Sequence, residues 1–151
     1  MTSRERHEER KVYMLTRKQL ESVHAIRRRM ERDEAELKEL EEDPPCDVQA
    51  LSLSLNPAHS NFPHGIDSIL ASYIDKKNRY RQRLLDRRRY LMELMEEIDR
   101  FIASLEDPRE QEIVELRCKE CLTFEEISIK TNWSVSTSWR IYLKVVSRLN
   151  E

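Results

Sequence analysis

A regular apolar repeat occupies residues 66–105, where apolar side chains recur at alternating steps of four and three residues. Ten of the twelve repeat positions are apolar, and the segment contains neither proline nor glycine. Such spacing keeps one face of an α-helix turned toward a partner helix. The repeat therefore predicts one long coiled-coil helix over residues 66–105.

A shorter apolar repeat precedes this segment and predicts a first helix at about residues 16–42. Thr16 and Gln19 have the spacing of a capping box, and two consecutive prolines end the helix because proline cannot continue it. The polar, proline-containing loop at residues 43–65 is long enough for the second helix to fold back on the first. We therefore expect an antiparallel helical hairpin that forms a coiled-coil stem within residues 1–105.

Opposite charges on the two predicted helices favour this antiparallel arrangement. The first helix ends in the acidic stretch ERDEAELKELEE, and the second begins with the basic stretch DKKNRYRQRLLDRRR. Each surface pair contributes only about 0 to 1 kcal/mol, so charge selects the orientation while the apolar positions hold the stem together. Lys77 and Arg87 interrupt the apolar seam and are candidates for fixing its register. The basic run over residues 76–89 either forms a paired, solvated surface or binds phosphate, and both readings stay open.

Composition favours helices over sheets. Of the 151 residues, 37% are charged and only one, Gly65, is glycine, so a sheet with tight turns lacks its usual turn residues. No apolar run approaches the roughly 18 residues of a membrane span, and the N-terminus lacks the apolar stretch of a secretion signal. Three cysteines do not suggest a disulfide framework. We expect an all-α protein in the cytoplasm, without membrane association.

Residues 106–151 begin with the signals of a short helix. Asp107 before Pro108 is a strong helix start. The aspartate side chain can accept hydrogen bonds from free backbone N–H groups, and proline loses no hydrogen bond at the first helical position. Glu110 adds an acid near the positive end of the helix dipole. This helix is predicted to end near Lys119.

Two further helices are predicted after it. Thr123 and Glu126 form a second capping box, which starts the next helix. Asn132 tolerates the left-handed conformation of a turn without glycine, and Ser134 caps the last helix. Two helices joined by a short turn, with a small serine where they cross, predict a helix-turn-helix DNA-binding domain at residues 106–151. The predicted core of this pair comprises Phe124, Ile127, Ile141, Val145 and Leu149.

Positive charge is concentrated in the predicted helix-turn-helix. Residues 127–150 contain four basic residues and no acidic one. In this motif the N-terminal part of the second helix enters the major groove of DNA, and helical spacing directs Ser138, Ile141 and Val145 inward. The candidate DNA-binding residues are therefore Lys130, Ser134, Val135, Ser136, Thr137, Trp139, Arg140 and Lys144.

These candidates differ in their expected roles. Ser136, Thr137 and Arg140 can reach base edges, and Arg140 is the most specific because it can donate two hydrogen bonds to one guanine. Lys130 and Lys144 suit phosphates. We therefore expect this face to combine contacts with base edges and contacts with the phosphates of the DNA backbone.

Alternative readings stay open for three side chains near this face. Arg140 would be unavailable to DNA if it formed an ion pair with a glutamate such as Glu126. Trp139 either contacts DNA or fills the junction between the two domains. We expect Trp133, in the turn, to be a structural plug.

Cys118 and Cys121 have the spacing of a metal-binding or redox pair. A structural zinc needs four ligands, usually from two such pairs, and neither the third cysteine nor the four histidines form a matching pair. No strand pattern typical of a redox motif surrounds the two cysteines. We therefore expect two partly buried thiols, with no catalytic residue, metal or cofactor.

The segment TFEEISIKTNWSVSTSWRIYLKVVSRL resembles region 4 of bacterial sigma factors in its threonine, apolar residue, two acids, isoleucine and small residue, followed by a turn, a serine cap and a basic helix. The order of a long acidic helix, a loop, a long coiled helix, LEDPRE and this segment is similar to phage-encoded ArpU/RinA-type transcriptional regulators. The resemblance covers roughly residues 48–150 and departs from the pattern at Thr131, Asn132 and Ser138, which predicts a thin core. It implies sequence-specific binding of double-stranded DNA and control of phage or prophage genes, with host RNA polymerase or a sigma factor as partner.

Two other functions fit the same organisation. A phage small terminase, which is a DNA-packaging adaptor, also joins a helix-turn-helix to long helices, but it would assemble as a ring. A protein-binding module would contact polymerase or a sigma factor without DNA, as the net charge of -2 allows. Homodimerisation through the coiled coil is a further option. No enzyme is expected, because the sequence lacks a glycine-rich phosphate loop, a nucleophile motif with histidine, and paired carboxylates outside solvated helical faces.

Overall fold

The computed structural model describes residues 15–46, 48–49 and 65–150, and this part of the chain is all-α, as predicted. A single turn of π-helix, Glu115–Lys119, follows the third helix. Within the described residues, no helix has the length and apolar character needed to cross a lipid bilayer. The α-helices are α1 (Arg17–Glu42), α2 (Gly65–Ser104), α3 (Pro108–Val114), α4 (Phe124–Thr131) and α5 (Val135–Val146).

The described residues form two compact units. The terminal unit contains residues 15–27 and 90–150, and the central unit contains residues 28–46, 48–49 and 65–89. Each long helix therefore contributes one part to each unit. The domain boundary predicted at residue 105 stays a prediction. It divides the chain by the expected role of each segment, whereas the two compact units are defined by packing.

In the central unit, α1 and α2 make contacts in opposite order. Asp33 forms an ion pair with Arg87, and the Tyr73 hydroxyl donates a 2.6 Å hydrogen bond to the Leu40 carbonyl. Residues with higher numbers on α1 contact residues with lower numbers on α2. The two segments therefore run antiparallel. Leu84 is buried in this unit, where it is only 6% exposed.

The charged interruptions of the apolar repeat have partners in the central unit. Arg87 pairs with Asp33, which is buried, and also donates a 3.3 Å hydrogen bond to the Arg29 carbonyl. The Lys77 ammonium lies 3.8 Å from a Glu41 carboxylate oxygen. A buried carboxylate without a cation would be strongly unfavourable. We infer that the Asp33–Arg87 pair disfavours any shift in the register of the two helices.

The core of the terminal unit draws apolar side chains from all five helices. Its most deeply buried apolar members, each at most 1% exposed, include one or two residues from each helix. Burial of this kind is the main favourable contribution to folding. Representative members are Leu20 and Val23 from α1, Ile98 and Phe101 from α2, Ile113 from α3, Ile127 from α4, and Val145 from α5.

The beginning of α1 is joined to the end of the described chain. The Arg17 backbone N–H donates a 2.8 Å hydrogen bond to the Asn150 carbonyl. The predicted capping box is confirmed: the Thr16 N–H donates to the Gln19 side chain at 2.9 Å, and the Gln19 N–H donates to the Thr16 hydroxyl at 3.2 Å. The start of α1 is thus part of the same unit as α3, α4 and α5, which the sequence pattern did not predict.

The boundaries of α3 follow its local sequence. Asp107 accepts a 2.9 Å hydrogen bond from the Arg109 N–H, and Pro108 occupies the first helical position, as predicted. The helical path ends at Lys119 after the π-helical turn, which was not predicted. Cys121 then adopts a left-handed conformation with φ 58°, which is uncommon for a residue other than glycine.

We predict that Leu20→Ala lowers the free energy of unfolding of the terminal unit by about 2 to 5 kcal/mol, because Leu20 is fully buried in its core. Urea unfolding followed by circular dichroism measures this change. Ile129→Ala is the matched control in the same unit, since Ile129 is 80% exposed and its truncation should change stability by less than about 0.5 kcal/mol. Equal effects of the two substitutions would contradict the assignment of α1 to this core.

Candidate nucleic-acid interface

The start of α4 is fixed by the predicted capping box. The Thr123 backbone N–H donates a 2.7 Å hydrogen bond to the Glu126 carboxylate, and the Glu126 N–H donates to the Thr123 hydroxyl at 3.3 Å. The first of these hydrogen bonds, followed by one from the Thr123 side chain, lowers the pKa of Glu126. The Glu126 carboxylate is therefore engaged at the helix start. The structure places no ion pair between it and Arg140.

The turn between α4 and α5 has the predicted geometry. Asn132 is left-handed, with φ 59° and ψ 20°, and the Ser134 hydroxyl accepts a 3.1 Å hydrogen bond from the Thr137 N–H. The Ser128 hydroxyl donates a 2.5 Å hydrogen bond to the Trp133 carbonyl, so the small serine joins α4 to the turn. Trp133 packs partly buried against the core, in agreement with its expected structural role.

Helix α5 separates a buried face from an exposed one. Ser138 and Val145 are 0% exposed, and Ile141 packs against the core, as the helical spacing predicted. The opposite face is open to solvent. All eight candidate DNA-binding residues are exposed: Lys130 on α4, Ser134 at the helix cap, and Val135, Ser136, Thr137, Trp139, Arg140 and Lys144 on α5.

Trp139 is held on this face by aromatic packing. Its ring meets that of Phe124 edge to face, with centroids 5.1 Å apart, while 45% of its surface stays exposed. Phe124 in turn contacts the Tyr142 ring at 5.5 Å and the Arg117 guanidinium at 4.8 Å. The tryptophan therefore presents a fixed, partly exposed apolar surface beside Arg140.

Arg140 differs from the other basic residues of the segment. Among the described residues no carboxylate forms an ion pair with it, whereas Lys130 pairs with Glu120 at 2.6 Å. Lys144 lies 3.3 Å from Glu110. The segment over residues 127–150 contains no acid of its own, but acids from other parts of the terminal unit neutralise two of its lysines.

Glu110 is the main acidic partner and is 4% exposed. Its two carboxylate oxygens accept hydrogen bonds of 2.9 Å each from the Arg148 guanidinium. Such two-pronged pairs are both strong and geometrically restrictive. This contact therefore connects the residues that directly follow α5 to α3. The sequence pattern assigned Glu110 only to the start of α3, and nothing in its local spacing indicated that Arg148 and Lys144 would meet it.

The two neighbouring cysteines are free and differ in burial. Cys118 is buried, and the loss of solvent raises the pKa of its thiol to about 12. Cys121 is partly buried, and the Arg27 guanidinium lies 3.8 Å from its sulfur and donates to the Lys119 carbonyl. All three cysteines are free, and in the part of the chain that is described no cluster of three or more metal-binding side chains occurs.

Tyr142 connects α5 to α1. Its hydroxyl donates a 3.3 Å hydrogen bond to the Glu21 carboxylate, and burial raises the pKa of the phenol. The sequence pattern did not identify Glu21 as its partner. This hydrogen bond and the buried side chains around it hold the inner face of α5 in place, so the outer face is fixed as well.

Comparisons with known proteins identified no relative of this chain. Neither a scan against protein-family models nor searches of curated proteins and of solved structures returned a match to the chain. The sigma-like and ArpU/RinA-like pattern therefore stays an expectation drawn from sequence.

We predict that Ser138→Ala raises the free energy of unfolding by about 1 kcal/mol. The Ser138 hydroxyl is fully buried and has no hydrogen-bond partner among the described residues, so its removal relieves a desolvation penalty. Ser136→Ala on the exposed face of the same helix is the control and should give only the small gain in helix propensity. Thermal and urea unfolding measure both. A loss of stability in Ser138→Ala would indicate a hidden partner for the hydroxyl.

We predict a loss of stability above about pH 9 that depends on Cys118. Its pKa is raised from 9.0 to about 12 on folding, so the folded state holds the proton more tightly than the unfolded state. The resulting stability is complete below pH 9 and decreases between pH 9 and 12, by roughly 1.4 kcal/mol per pH unit. The free energy of unfolding of Cys118→Ala should therefore fall less steeply than that of the wild type, while Cys46→Ala should follow the wild type. Parallel curves for Cys118→Ala and the wild type would refute this assignment.

Proposed function

We propose that the chain is a sequence-specific DNA-binding regulator of transcription that acts on phage or prophage genes. In this proposal α4 and α5 are a helix-turn-helix, and the N-terminal half of α5 enters the major groove. The observation that carries the proposal is the state of Arg140, which is exposed on α5 and has no ion-pair partner among the described residues. An arginine in this position is available to read a base.

Base reading would come from the first two turns of α5. Arg140 can donate two hydrogen bonds to the O6 and N7 atoms of one guanine, which distinguishes G·C from the other base pairs. Ser136 and Thr137 lie exposed one turn earlier and offer hydroxyl groups to neighbouring bases. Val135 and Trp139 add apolar surface that suits a thymine methyl group or a sugar.

Phosphate binding would come from Lys130, Lys144 and the capped start of α5. Helix N-termini favour phosphate because their free N–H groups and the helix dipole both attract anions. The two lysines are more than half exposed although each has a glutamate partner. A phosphate must therefore compete with Glu120 or Glu110, which favours moderate sequence-independent affinity and leaves more of the selectivity to Arg140.

We further propose that the antiparallel parts of α1 and α2 form a hairpin stem. The contacts of Arg87 with Asp33 and of Tyr73 with Leu40 support this arrangement. A stem of this kind would provide spacing, a surface for homodimerisation, or a contact with host RNA polymerase or a sigma factor. The resemblance in sequence favours the polymerase contact.

A second candidate function is a protein-binding module that contacts polymerase or a sigma factor without DNA. The ion pairs of Lys130, Lys144 and Arg148 favour it, because they reduce the positive potential of the exposed face. Residues 106–151 also contain nine acidic and seven basic residues, which is unusual for a DNA-binding surface. Binding of duplex DNA in the absence of any other protein distinguishes the two candidates.

The DNA-binding proposal predicts different effects for two substitutions on α5. Arg140→Ala should weaken specific binding by about 1 to 3 kcal/mol and relax the preference at one base pair. Lys144→Ala should weaken binding to all sequences alike and reduce the salt slope by about one unit. Selection of bound sequences from a random DNA pool, followed by titrations at several salt concentrations, measures both. Wild-type affinity in both variants would show that another face binds DNA.

Glu110→Gln is predicted to strengthen binding to duplexes of any sequence and to steepen the salt dependence by about one unit, because it frees Lys144 and Arg148. The control is Glu112→Gln, which makes the same change in net charge at an exposed residue of α3. Circular dichroism verifies folding, since the loss of the Arg148 contact is expected to reduce stability. If both variants bind non-specific DNA equally, Glu110 does not restrain the phosphate-binding cations.

A further inference from the structure

The basic run of α2 divides into two sets of side chains. Residues 76–89 contain eight basic residues and one acidic residue, Asp86. Half of these cations form ion pairs with acids of α1 inside the central unit. The paired set comprises Lys77 and Arg81 with Glu41, Arg87 with Asp33, and Arg88 with Glu34.

Three of the remaining cations lie on one face of α2. Lys76, Arg79 and Arg83 are spaced by three and four residues, so they are neighbours on a single side of the helix. All three are exposed, and none forms an ion pair within the described part of the chain. At a rise of about 1.5 Å per residue they extend over roughly 10 Å. We call this set the α2 cation face.

The nearest acids on this side are exposed or already engaged. The Asp86 carboxylate accepts a 2.9 Å hydrogen bond from the Gln82 amide. A hydrogen bond to Glu36 raises the pKa of Tyr80, so that glutamate is occupied by the phenol. Asp75 is exposed and forms no ion pair with a described residue.

The position of Arg83 is restricted by an aromatic ring. Its guanidinium lies over the Tyr80 ring, 5.5 Å from the centroid. Stacking of this kind leaves the N–H groups at the rim of the guanidinium free to bind an anion. Arg83 is therefore partly pre-organised for such a contact.

The chemistry of the α2 cation face favours phosphate over a protein surface. Protein interfaces usually have an apolar centre that is depleted of charge. The exposed large apolar side chains that α2 contributes to the central unit, Leu70, Ile74 and Leu85, lie on the other side of the helix at about 100° per residue. A DNA duplex presents about one phosphate charge per 1.7 Å of its axis, so a length of roughly 10 Å offers more phosphates than the face has cations.

We propose that Lys76, Arg79 and Arg83 form a second, sequence-independent contact with the phosphates of duplex DNA. This inference rests on the proposed function in its choice of partner, and it assigns to the central unit a binding role separate from base reading by α5. The paired cations Lys77, Arg81, Arg87 and Arg88 are engaged by acids of α1 and do not take part.

The test compares two double variants of the full chain that have the same net charge. R79Q/R83Q removes two members of the α2 cation face, and R81Q/R88Q removes two paired arginines from the same helix. Affinity for a labelled duplex of roughly 30 base pairs and arbitrary sequence is measured between about 50 and 200 mM salt. We expect R79Q/R83Q to reduce the salt slope by about two units and the affinity at least tenfold at low salt, and R81Q/R88Q to change the slope by less than one unit.

Two further measurements keep the result interpretable. Circular dichroism and thermal melting verify that each variant is folded, and R79K/R83K, which restores charge, should recover the wild-type salt slope. Equal slopes for R79Q/R83Q and R81Q/R88Q would overturn the inference. So would a R79Q/R83Q protein that binds DNA normally but loses binding to purified RNA polymerase, since the face would then recognise an acidic protein surface.

The outcomes separate this inference from the function on which it rests. If Arg140→Ala loses sequence preference while the two double variants behave alike, DNA regulation stands and the second contact is wrong. If the wild-type chain binds no duplex under any salt condition, the proposed function fails and the inference fails with it. If only R79Q/R83Q loses binding and Arg140→Ala behaves as wild type, the phosphate contact stands and base reading by α5 is wrong.

Discussion

The structure depends on the shared apolar core of the terminal unit. Helices of 7, 8 and 12 residues, such as α3, α4 and α5, are marginal in water on their own, because nucleation is costly and few hydrogen bonds follow it. Burial of Ile113, Ile127 and Val145 against the ends of the two long helices stabilises them together. The exposed side of α5 has a defined orientation only because its inner side is fixed in this way.

Electrostatic contacts add selectivity to a fold that apolar burial stabilises. Glu110 engages Arg148 and Lys144 in the terminal unit, and Asp33 engages Arg87 in the central unit. In both cases a buried carboxylate requires its cation, so the contact disfavours alternative packings more than it adds net stability. Other cations, among them Arg79, Arg83 and Arg140, have no acidic partner among the described residues, and both DNA-binding proposals use such cations.

Local sequence predicted the helix boundaries well. The capping boxes that begin with Thr16 and Thr123 both form, and Asp107 and Ser134 cap their helices. Asn132 adopts the expected left-handed turn. Each of these features depends on atoms within a few residues of one another, so spacing alone contains the information. The inward and outward faces of α5 follow for the same reason, since helical periodicity is also local.

The sequence by itself thus determined the all-α class, the positions of the helices and the exposed side of α5. Tertiary structure alone decided that the start of α1 packs with α3, α4 and α5 and that Glu110 pairs with Arg148. It also decided which cations of residues 76–89 form ion pairs with acids on α1. It also decided the left-handed Cys121 beside Arg27. These contacts join residues tens of positions apart, and their partners are selected by packing in three dimensions, which no local spacing records.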